Sequence, residues 1–319
     1  MPHDLSRLLV IGISSRALFD LEQENQIFRE KGLEEYIQHQ LEHENDVLKP
    51  GTAFPLVKGF LALNEHKKER LVEVIVMSRN SPDTGLRIFN SIEHYGLDIT
   101  RAALAGGESL APYLEGFSVD LFLSKSKADV QAAIDTGIAA AMLYNPPDDS
   151  AVEIGKVRIA FDADAVVFSE ESEAIYRDKG LEAFYENERR NADKPLQEGP
   201  FAKLLKTLSL MQQGFEPEDA PVRIAIVTAR NSPAHERVIK TLRSWGVRVD
   251  AAFFLGGVSK DKILKAYGAQ IFFDDQEVHL GLASAVVPSG LVPYRSGSSL
   301  HPDNQLSTSA ANRDGEMSV

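Results

Sequence analysis

An internal duplication, with an offset of about 150 residues, constrains this chain more than any other feature. One pair of matching segments is identical at six of eight positions. Because the offset stays nearly constant, the repeated unit is a whole domain rather than a short solenoid repeat. The matching segments are residues 31–34 with 179–182, 75–82 with 226–233, and 104–107 with 254–257.

Each half alternates apolar, strand-like runs with helix-forming stretches. This order predicts an α/β fold, in which two tandem Rossmann-like domains each carry a parallel sheet with right-handed crossovers. We place the domains at residues 1–148 and 149–295. The predicted strands of the second half are Val157–Phe161, Val222–Thr228, 251–255, 270–273 and 285–287; those of the first half are 8–13, 72–77 and 121–123, and a helix over 130–141 closes it.

Three segments fall outside this alternation. The Pro-Pro-Asp-Asp stretch at residues 146–149 is the predicted linker. Residues 170–214 are polar and helix-forming, and we interpret them as a small helical cap over a crevice of the second half. Residues 296–319 are rich in Ser, Asn and Asp; they bury too little apolar surface to offset the entropy of ordering, so we predict a disordered tail.

Composition excludes several classes of function. The 319 residues contain no cysteine, which rules out disulfides, thiolate metal sites and cysteine nucleophiles. A net charge of −13 argues against nucleic acid as a partner, although a small phosphorylated substrate responds to local charge. Neither a secretion signal nor a run of 18 apolar residues is found. We therefore expect a cytoplasmic protein with no membrane span.

Two aspartates, Asp162 and Asp164, directly follow the predicted strand Val157–Phe161. In open α/β sheets the ligand crevice lies at the carboxyl ends of the strands. Carboxylates are hard oxygen ligands that suit Mg²⁺. One of the pair can be a nucleophile and the other a general acid and base. The alternative is a strand that ends in an ordinary acidic turn.

Three further strand ends of the second half carry reactive groups: Thr228, Lys260 and the pair Asp274-Asp275. The topology lets all four ends meet, and together they form a complete set for phosphoryl transfer. We predict that Asp162 attacks phosphorus to form an aspartyl-phosphate, that Asp164 transfers protons, and that Lys260 and Mg²⁺ neutralise the phosphate. Lys262 and Lys265 are alternatives to Lys260.

The first half has lost these groups in the internal alignment. We expect it to keep the fold without the chemistry, and to support the active half, bind an effector, or do both. The alignment sets Ile13 against Asp162, Ser15 against Asp164, Met77 against Thr228, Leu110 against Lys260, and Ser124-Lys125 against Asp274-Asp275.

These four motifs resemble those of the haloacid dehalogenase superfamily of phosphatases, with D-x-D-x-V at residues 162–166 and F-F-D-D at residues 272–275. Longer segments, such as F-D-A-D-A-V-V-F-S-E-E-S-E from Phe161, V-T-A-R from Val227 and S-S-R-A-L-F from Ser14, resemble the cytosolic 5'-nucleotidase type I family. The similarity runs from about residue 8 to residue 294.

The resemblance implies two tandem haloacid-dehalogenase-like domains, of which the first is degenerate and the second catalytic. It implies Mg²⁺-dependent hydrolysis of nucleoside 5'-monophosphates, typically AMP and pyrimidine deoxynucleotides, to nucleoside and phosphate. Members of that family can respond to nucleoside diphosphates as activators, so a nucleotide effector is an expected partner. Two alternatives stay open: a phosphatase of another small phosphate ester, and a nucleotide-sensing regulatory protein.

The predicted site has a metal-binding and a substrate-binding part. Phe168 also fits an ordinary core position, and Arg230 also fits a cap of the following helix. Nothing in the sequence specifies a homo-oligomer, which stays an open expectation. The predicted metal ligands are Asp162, Asp164, Asp274 and Asp275, and the predicted substrate contacts are Phe168, Thr228, Ala229, Arg230 and Lys194.

Overall fold

Strands and helices alternate through residues 5–66, 69–147, 156–213 and 215–304, which are the residues described by the structure, a computed structural model. The first half contains β1 (Leu9–Ile13), α1 (Ser15–Leu18), β2 (Phe19–Asp20), α2 (Glu22–Lys31), α3 (Leu33–Glu42), β3 (Lys49–Pro50), α4 (Phe54–Ala62), β4 (Val72–Ser78), α5 (Leu86–His94), β5 (Arg101–Leu104), α6 (Ala111–Gly116), β6 (Leu121–Ser124), α7 (Lys127–Asp135) and β7 (Ala139–Leu143). The second contains β8 (Val157–Phe161), α8 (Glu171–Arg190), α9 (Ala202–Met211), β9 (Val222–Thr228), α10 (His235–Ser244), β10 (Ala251–Phe254), α11 (Asp261–Tyr267), β11 (Ile271–Asp274), α12 (Glu277–Ala283) and β12 (Ser289–Leu291).

One ten-stranded sheet runs through both halves. The first half contributes the order β5-β4-β1-β6-β7, and the second contributes the same order, β10-β9-β8-β11-β12. Every neighbouring pair within a half is parallel. The halves join through an antiparallel pair, β7 with β12. The predicted α/β class with a mostly parallel sheet is confirmed, and the two predicted sheets are continuous with each other.

The central strands are continuous apolar runs because both faces of the sheet are covered by helices. All residues of β1 and β4 are buried. The charged exception in β4 is Glu73, whose carboxylate lies 2.8 Å from Arg70 Nε and 2.6 Å from Arg101 Nη1. Those two cations compensate a charge that would otherwise be costly to bury.

Three predictions of secondary structure need correction. The predicted helix over residues 130–141 is wrong in its second part, because α7 ends before Gly137, which has a φ of 91°, and β7 follows. The last strand is β12 rather than residues 285–287, since the amides of Val286 and Val287 donate to the carbonyl oxygen of Ala283 and close α12. Strand β5 was not predicted.

The structure describes only some of the residues at the predicted domain borders. Residues 148 and 149 of the predicted linker lie outside the described residues. Residues 296–304 contradict the predicted disorder, because Ser296 bonds Asp135 and Ser298 bonds Glu170, while residues 305–319 lie outside the described part. In the part of the chain that the structure describes, no helix has the length and apolar character to cross a membrane.

Both halves insert a bent helical segment after their first sheet strand. A glycine with positive φ makes each bend: Gly32, at 91°, separates α2 from α3, and Gly180, at 79°, interrupts α8. In both halves a tyrosine of this segment donates a hydrogen bond to an asparagine in the loop after the next sheet strand. Tyr36 donates to Asn80 Oδ1 at 3.0 Å in the first half, and Tyr185 donates to Asn231 Oδ1 at 2.6 Å in the second.

Candidate active site

The carboxyl ends of β8 and β11 bring the predicted aspartates together. Phe161 and Phe273 are register partners in these adjacent parallel strands. The amide nitrogen of Asp162 donates to the carbonyl oxygen of Phe273 at 2.7 Å, which extends the pairing by one step. Asp162 therefore lies beside Asp274 and Asp275 at the edge where ligands bind in such sheets.

Lys260, which directly precedes α11, lies between two of these carboxylates. Its Nζ is 2.6 Å from Asp274 Oδ2 and 3.0 Å from Asp162 Oδ1. Burial alone would lower the pKa of Lys260, but the charges of Asp162 and Asp274 outweigh burial and raise it. The lysine is therefore a fixed positive charge in the crevice. Of the three lysines considered, Lys260 is the one that the structure places against the aspartates.

The three clustered carboxyl groups differ in their affinity for a proton. Burial raises the pKa of Asp162 to about 7. Burial, together with the charges of Asp162 and Asp274, raises the pKa of Asp275 well above its ordinary value. Burial would also raise the pKa of Asp274, but Lys260 and His279 outweigh it and lower that pKa. Lys260 and His279 thus favour the ionised form of Asp274, while burial favours the protonated forms of Asp162 and Asp275.

This cluster fits a hard divalent cation. Asp162, Asp274 and Asp275 each offer an oxygen, and the three oxygens lie within 4.8 Å of one another. Two buried oxygens of this cluster, Asp162 Oδ1 and Asp275 Oδ1, accept no hydrogen bond from the described residues; the former is in ion-pair range of Lys260 without hydrogen-bond alignment. Buried acceptors are usually satisfied. Oxygen ligands of this kind suit Mg²⁺.

Asp164 does not belong to the metal-binding group, which corrects the prediction that its carboxylate is a metal ligand. Both of its oxygens are engaged by Arg230, with Nε 2.8 Å from Oδ2 and Nη2 2.5 Å from Oδ1. This is a bidentate ion pair, which fixes the orientation of the carboxylate. Arg230 was predicted to contact substrate or cap a helix, and the structure shows it holding Asp164.

A second carboxylate, Glu188 of α8, fixes Arg230 in turn. Glu188 Oε2 accepts from Arg230 Nη1 at 2.6 Å, and Oε1 accepts from Arg237 Nη1 at 2.9 Å and from Ser172 Oγ at 3.0 Å. Glu188 is 1% exposed. This network was not predicted from the sequence. Its one signal was that Glu188 lies four residues after Phe184, on the inward face of the same helix.

The remaining predicted residues differ in their burial: Thr228 and Phe168 are buried, whereas Ala229 and Lys194 are exposed. Thr228 is buried at the end of β9, and its hydroxyl accepts from the amide of Arg230 at 3.2 Å. Ala229 is exposed beside it. Phe168 is a core residue: it is fully buried and packs on Trp245 with ring centroids 5.4 Å apart, so it is not positioned to stack on a base. Lys194 is exposed, and its carbonyl oxygen accepts from Arg237.

The strand register corrects the internal alignment at the head of each half. The amide of Ser14 donates to Leu123 O at 2.9 Å, in the same way that the amide of Asp162 donates to Phe273 O. Ser14, rather than Ile13, therefore occupies the position of Asp162. The amide of Phe19 bonds the carbonyl of Ser15, whereas the amide of Phe168 bonds that of Ala163, so Ser15 matches Ala163 and not Asp164.

The second half gains one residue in this turn, where Ala163–Val167 forms a π-turn and Ala165 has a φ of 58°. The register also sets Ser78, rather than Met77, against Thr228. Each of these hydroxyls accepts from the amide two residues further on, at 3.1 Å for Ser78 and 3.2 Å for Thr228. The other equivalences stand: Leu110 with Lys260, and Ser124-Lys125 with Asp274-Asp275.

Comparisons with known proteins agree with this geometry. A family model described as 5'-nucleotidase matches residues 1–299. Human cytosolic 5'-nucleotidase 1B is 37% identical over 283 residues, covering 85% of this chain and 46% of the relative, so the chain spans about half the length of that protein. Two solved structures are similar only weakly and carry no argument: a Pnkp1/Rnl/Hen1 complex (TM-score 0.33, 13% identity, 91% of this chain and 98% of that one) and histidinol dehydrogenase from Elizabethkingia anophelis (TM-score 0.24, 11% identity, 92% and 55%).

Proposed function

The chain belongs to the 5'-nucleotidase family, and we propose that it hydrolyses nucleoside 5'-monophosphates to nucleoside and phosphate in the crevice of its second half. The observation that carries the proposal is the cluster of Asp162, Asp274 and Asp275 around Lys260, with Asp164 held beside it by Arg230. The substrates we propose are AMP-type nucleotides and pyrimidine deoxynucleotides.

The architecture in this proposal is two tandem haloacid-dehalogenase-like domains, the first degenerate and the second catalytic. The identical strand order of the two halves supports a duplicated domain. We place the domains at residues 1–148 and 149–295, and the cap at about residues 170–214, where α8 and α9 lie between β8 and β9. The contacts of α8 with Arg230 and Asn231 support a position beside the crevice.

The first chemical step is an in-line attack of a carboxylate oxygen of Asp162 on phosphorus. The bond from phosphorus to the nucleoside 5' oxygen breaks, and Asp164 gives that oxygen a proton. Lys260 contributes positive charge next to the attacked phosphoryl group. Because both oxygens of Asp164 accept from Arg230, one of these hydrogen bonds has to break for that oxygen to carry the proton.

The second step returns the protein to its starting state. Asp164 takes a proton from a water molecule, whose oxygen attacks phosphorus of the aspartyl-phosphate, and the release of phosphate restores the carboxylate of Asp162. A Mg²⁺ ion held by Asp162, Asp274 and Asp275 would supply positive charge that favours the ionised nucleophile and offsets the charge of the phosphate dianion. Thr228, Ala229, Arg230 and Lys194 stay predicted substrate contacts.

The surroundings of the reaction belong to the same proposal. We place the protein in the cytoplasm, because the relative is named cytosolic. A nucleotide substrate is its principal partner; a nucleotide effector and a homo-oligomer are further predictions.

Phosphate release from a panel of 5'- and 3'-nucleoside monophosphates and sugar phosphates tests the proposal, in Mg²⁺ and in EDTA. We expect release from 5'-monophosphates in Mg²⁺ and none in EDTA. Release should also be lost in Asp162→Asn. The matched control is Asp98→Asn, at an aspartate whose side chain is 58% exposed and which lies far along the chain from the cluster. Faster hydrolysis of sugar phosphates would replace the substrate with another phosphate ester. No release from any compound would favour the nucleotide-sensing protein.

A further inference from the structure

The first half contains a cavity of about 520 Å³ at the edge of the sheet that corresponds to the catalytic edge of the second half. Its floor includes Ser14, Ser78 and Ser124, which stand at the backbone positions of Asp162, Thr228 and Asp274. This size is typical of a site for a small molecule. Among the described residues, the one carboxylate cluster suited to a metal lies in the second half. A ligand of this cavity would therefore have to bind to the protein directly, without a metal ion.

The polar atoms left unpaired in the two crevices are of opposite kinds. In the first half the unpaired buried atoms are donors: Arg16 Nε and Asn80 Nδ2 have no hydrogen-bond partner among the described residues. In the second half they include the acceptors Asp162 Oδ1 and Asp275 Oδ1. Unpaired donors require a ligand with acceptor atoms, such as the oxygens of a phosphate.

The balance of charge agrees with the unpaired donors. Arg16 Nη2 and Lys125 Nζ share one carboxylate, that of Glu22, at 3.0 and 2.9 Å. The other charged residues of the lining are paired: Arg79 with Asp129, and Glu24 with Arg87, which lies outside the lining. With histidine neutral, one positive charge is left over. In the second half, the four aspartates and Glu188 outnumber Lys260, Arg230 and Arg237 by two, which suits a divalent cation instead.

The wall of the cavity is apolar and comes from α2 and α3. Phe28 and Leu33 are 49% and 60% exposed, and Phe28 meets Tyr36 edge to face with ring centroids 5.9 Å apart. Exposed aromatic side chains beside an anion site can stack on a planar ring. The cavity therefore combines a floor for a charged group with a wall for an apolar or aromatic body.

We propose that the first-half cavity binds a nucleoside monophosphate directly, through Arg16, Asn80 and the serine hydroxyls, without a metal ion and without hydrolysing it. Ser14, and not a carboxylate, stands at the position of Asp162, so this half lacks the carboxylate nucleophile of the proposed mechanism. The site is independent of the proposed function, because it uses none of the catalytic residues.

Calorimetric titration of the full chain with AMP in EDTA tests the proposal. EDTA removes any metal from the second half, whose clustered carboxyl groups are then left without a cation that could bind the phosphate of the nucleotide. We expect one AMP per chain, tighter than either inorganic phosphate or adenosine alone. Arg16→Gln removes a charge-assisted hydrogen bond and should weaken AMP binding by about 10- to 100-fold. Arg190→Gln, an exposed cation on α8, should bind as the unmodified protein does.

A second pair of variants keeps the test decisive if Arg16→Gln does not fold. Phe28→Ala at an exposed position should weaken AMP binding several-fold and leave phosphate binding unchanged. Tyr176→Ala removes an exposed aromatic from the corresponding part of α8 and should change neither. Absence of binding in EDTA, equal affinity for AMP and phosphate, or weakening by Tyr176→Ala instead of Phe28→Ala would each overturn the proposal.

Discussion

Three serines end strands of the first half where the second half carries two aspartates and a threonine. Apart from the extra residue in the turn after β8, the two halves share the strand order, the glycine bend in the helical insert and the tyrosine-to-asparagine hydrogen bond. The difference teaches that the strand framework does not depend on the chemistry at its edge. The framework rests on buried apolar strands, while the edge decides only which charge the crevice attracts.

The buried ion pairs show the same divergence in another form. In the second half, Glu188 accepts hydrogen bonds from Arg237 and Ser172. In the first half, Arg87 donates to Glu24 at 2.7 Å and to Gln40 at 3.2 Å. The first half therefore carries its carboxylate at the position of Ser172, and the second half carries it at the position of Gln40. The arginine keeps a partner in both halves, but only the second arrangement also holds Arg230, and through it Asp164.

The largest expected effect is the loss of activity in Asp162→Asn. An amide is a poor nucleophile for phosphorus, so phosphate release should fall at least about 10⁴-fold, the scale seen when a catalytic nucleophile is removed. Initial rates with AMP in Mg²⁺ measure it. Activity that survives in this variant would sink the aspartyl-phosphate mechanism, whereas Asp98→Asn should behave as the unmodified protein.

The next effect concerns stability. Glu188→Gln copies Gln40 of the first half and removes the buried carboxylate that pairs with Arg230 and Arg237. The free energy of unfolding should therefore fall by about 3 kcal/mol. Denaturant melts measure it, with Glu186→Gln, 67% exposed on the same helix, as the neutral control. Adding Ser172→Glu recreates the first-half arrangement and should recover stability through Arg237 while activity stays low. Full recovery of activity would show that Glu188 does not position Arg230.

A smaller change in rate should follow Arg230→Lys. Lysine keeps the charge but cannot engage both oxygens of Asp164, so kcat should fall about 10- to 100-fold while KM changes little. Steady-state kinetics with AMP would separate the two constants. A rise in KM alone would return Arg230 to the substrate contact that the sequence predicts; Arg190→Lys at an exposed site is the control.

The smallest effect is a dependence of stability on pH in EDTA. Since the pKa of Asp162 is raised from 3.8 to about 7, the folded protein binds this proton more tightly than the unfolded chain. The resulting stability is complete below about pH 4 and is lost as pH rises to 7. Asp162→Asn escapes the loss, so its melting temperature should exceed that of the unmodified protein by a few degrees at pH 8 and by less at pH 5. A constant difference would contradict the raised pKa.

Local patterns in the sequence were enough to define the α/β class and most of the residues that meet at the candidate site. Apolar runs that end in polar residues predicted β8 and β9 with the bounds that the structure shows, and they placed Thr228 and the aspartates at one edge. Patterns of this kind depend only on residues a few positions apart, so the sequence is sufficient to predict these strands and the residues that follow them. The alanine-rich run that became β7 carries no such pattern, and it was assigned to a helix.

The sequence by itself determined a duplicated α/β chain whose second half carries carboxylates, a lysine and a hydroxyl at the ends of its strands. Only the tertiary structure decided that β7 and β12 join the halves into one sheet, that Phe168 is buried, and that Arg230 holds Asp164. Each of these depends on the direction of a side chain or on a strand pairing between distant parts of the chain. Hydrophobic periodicity is local, so it fixes which face of an element is buried but not which distant residue that face meets.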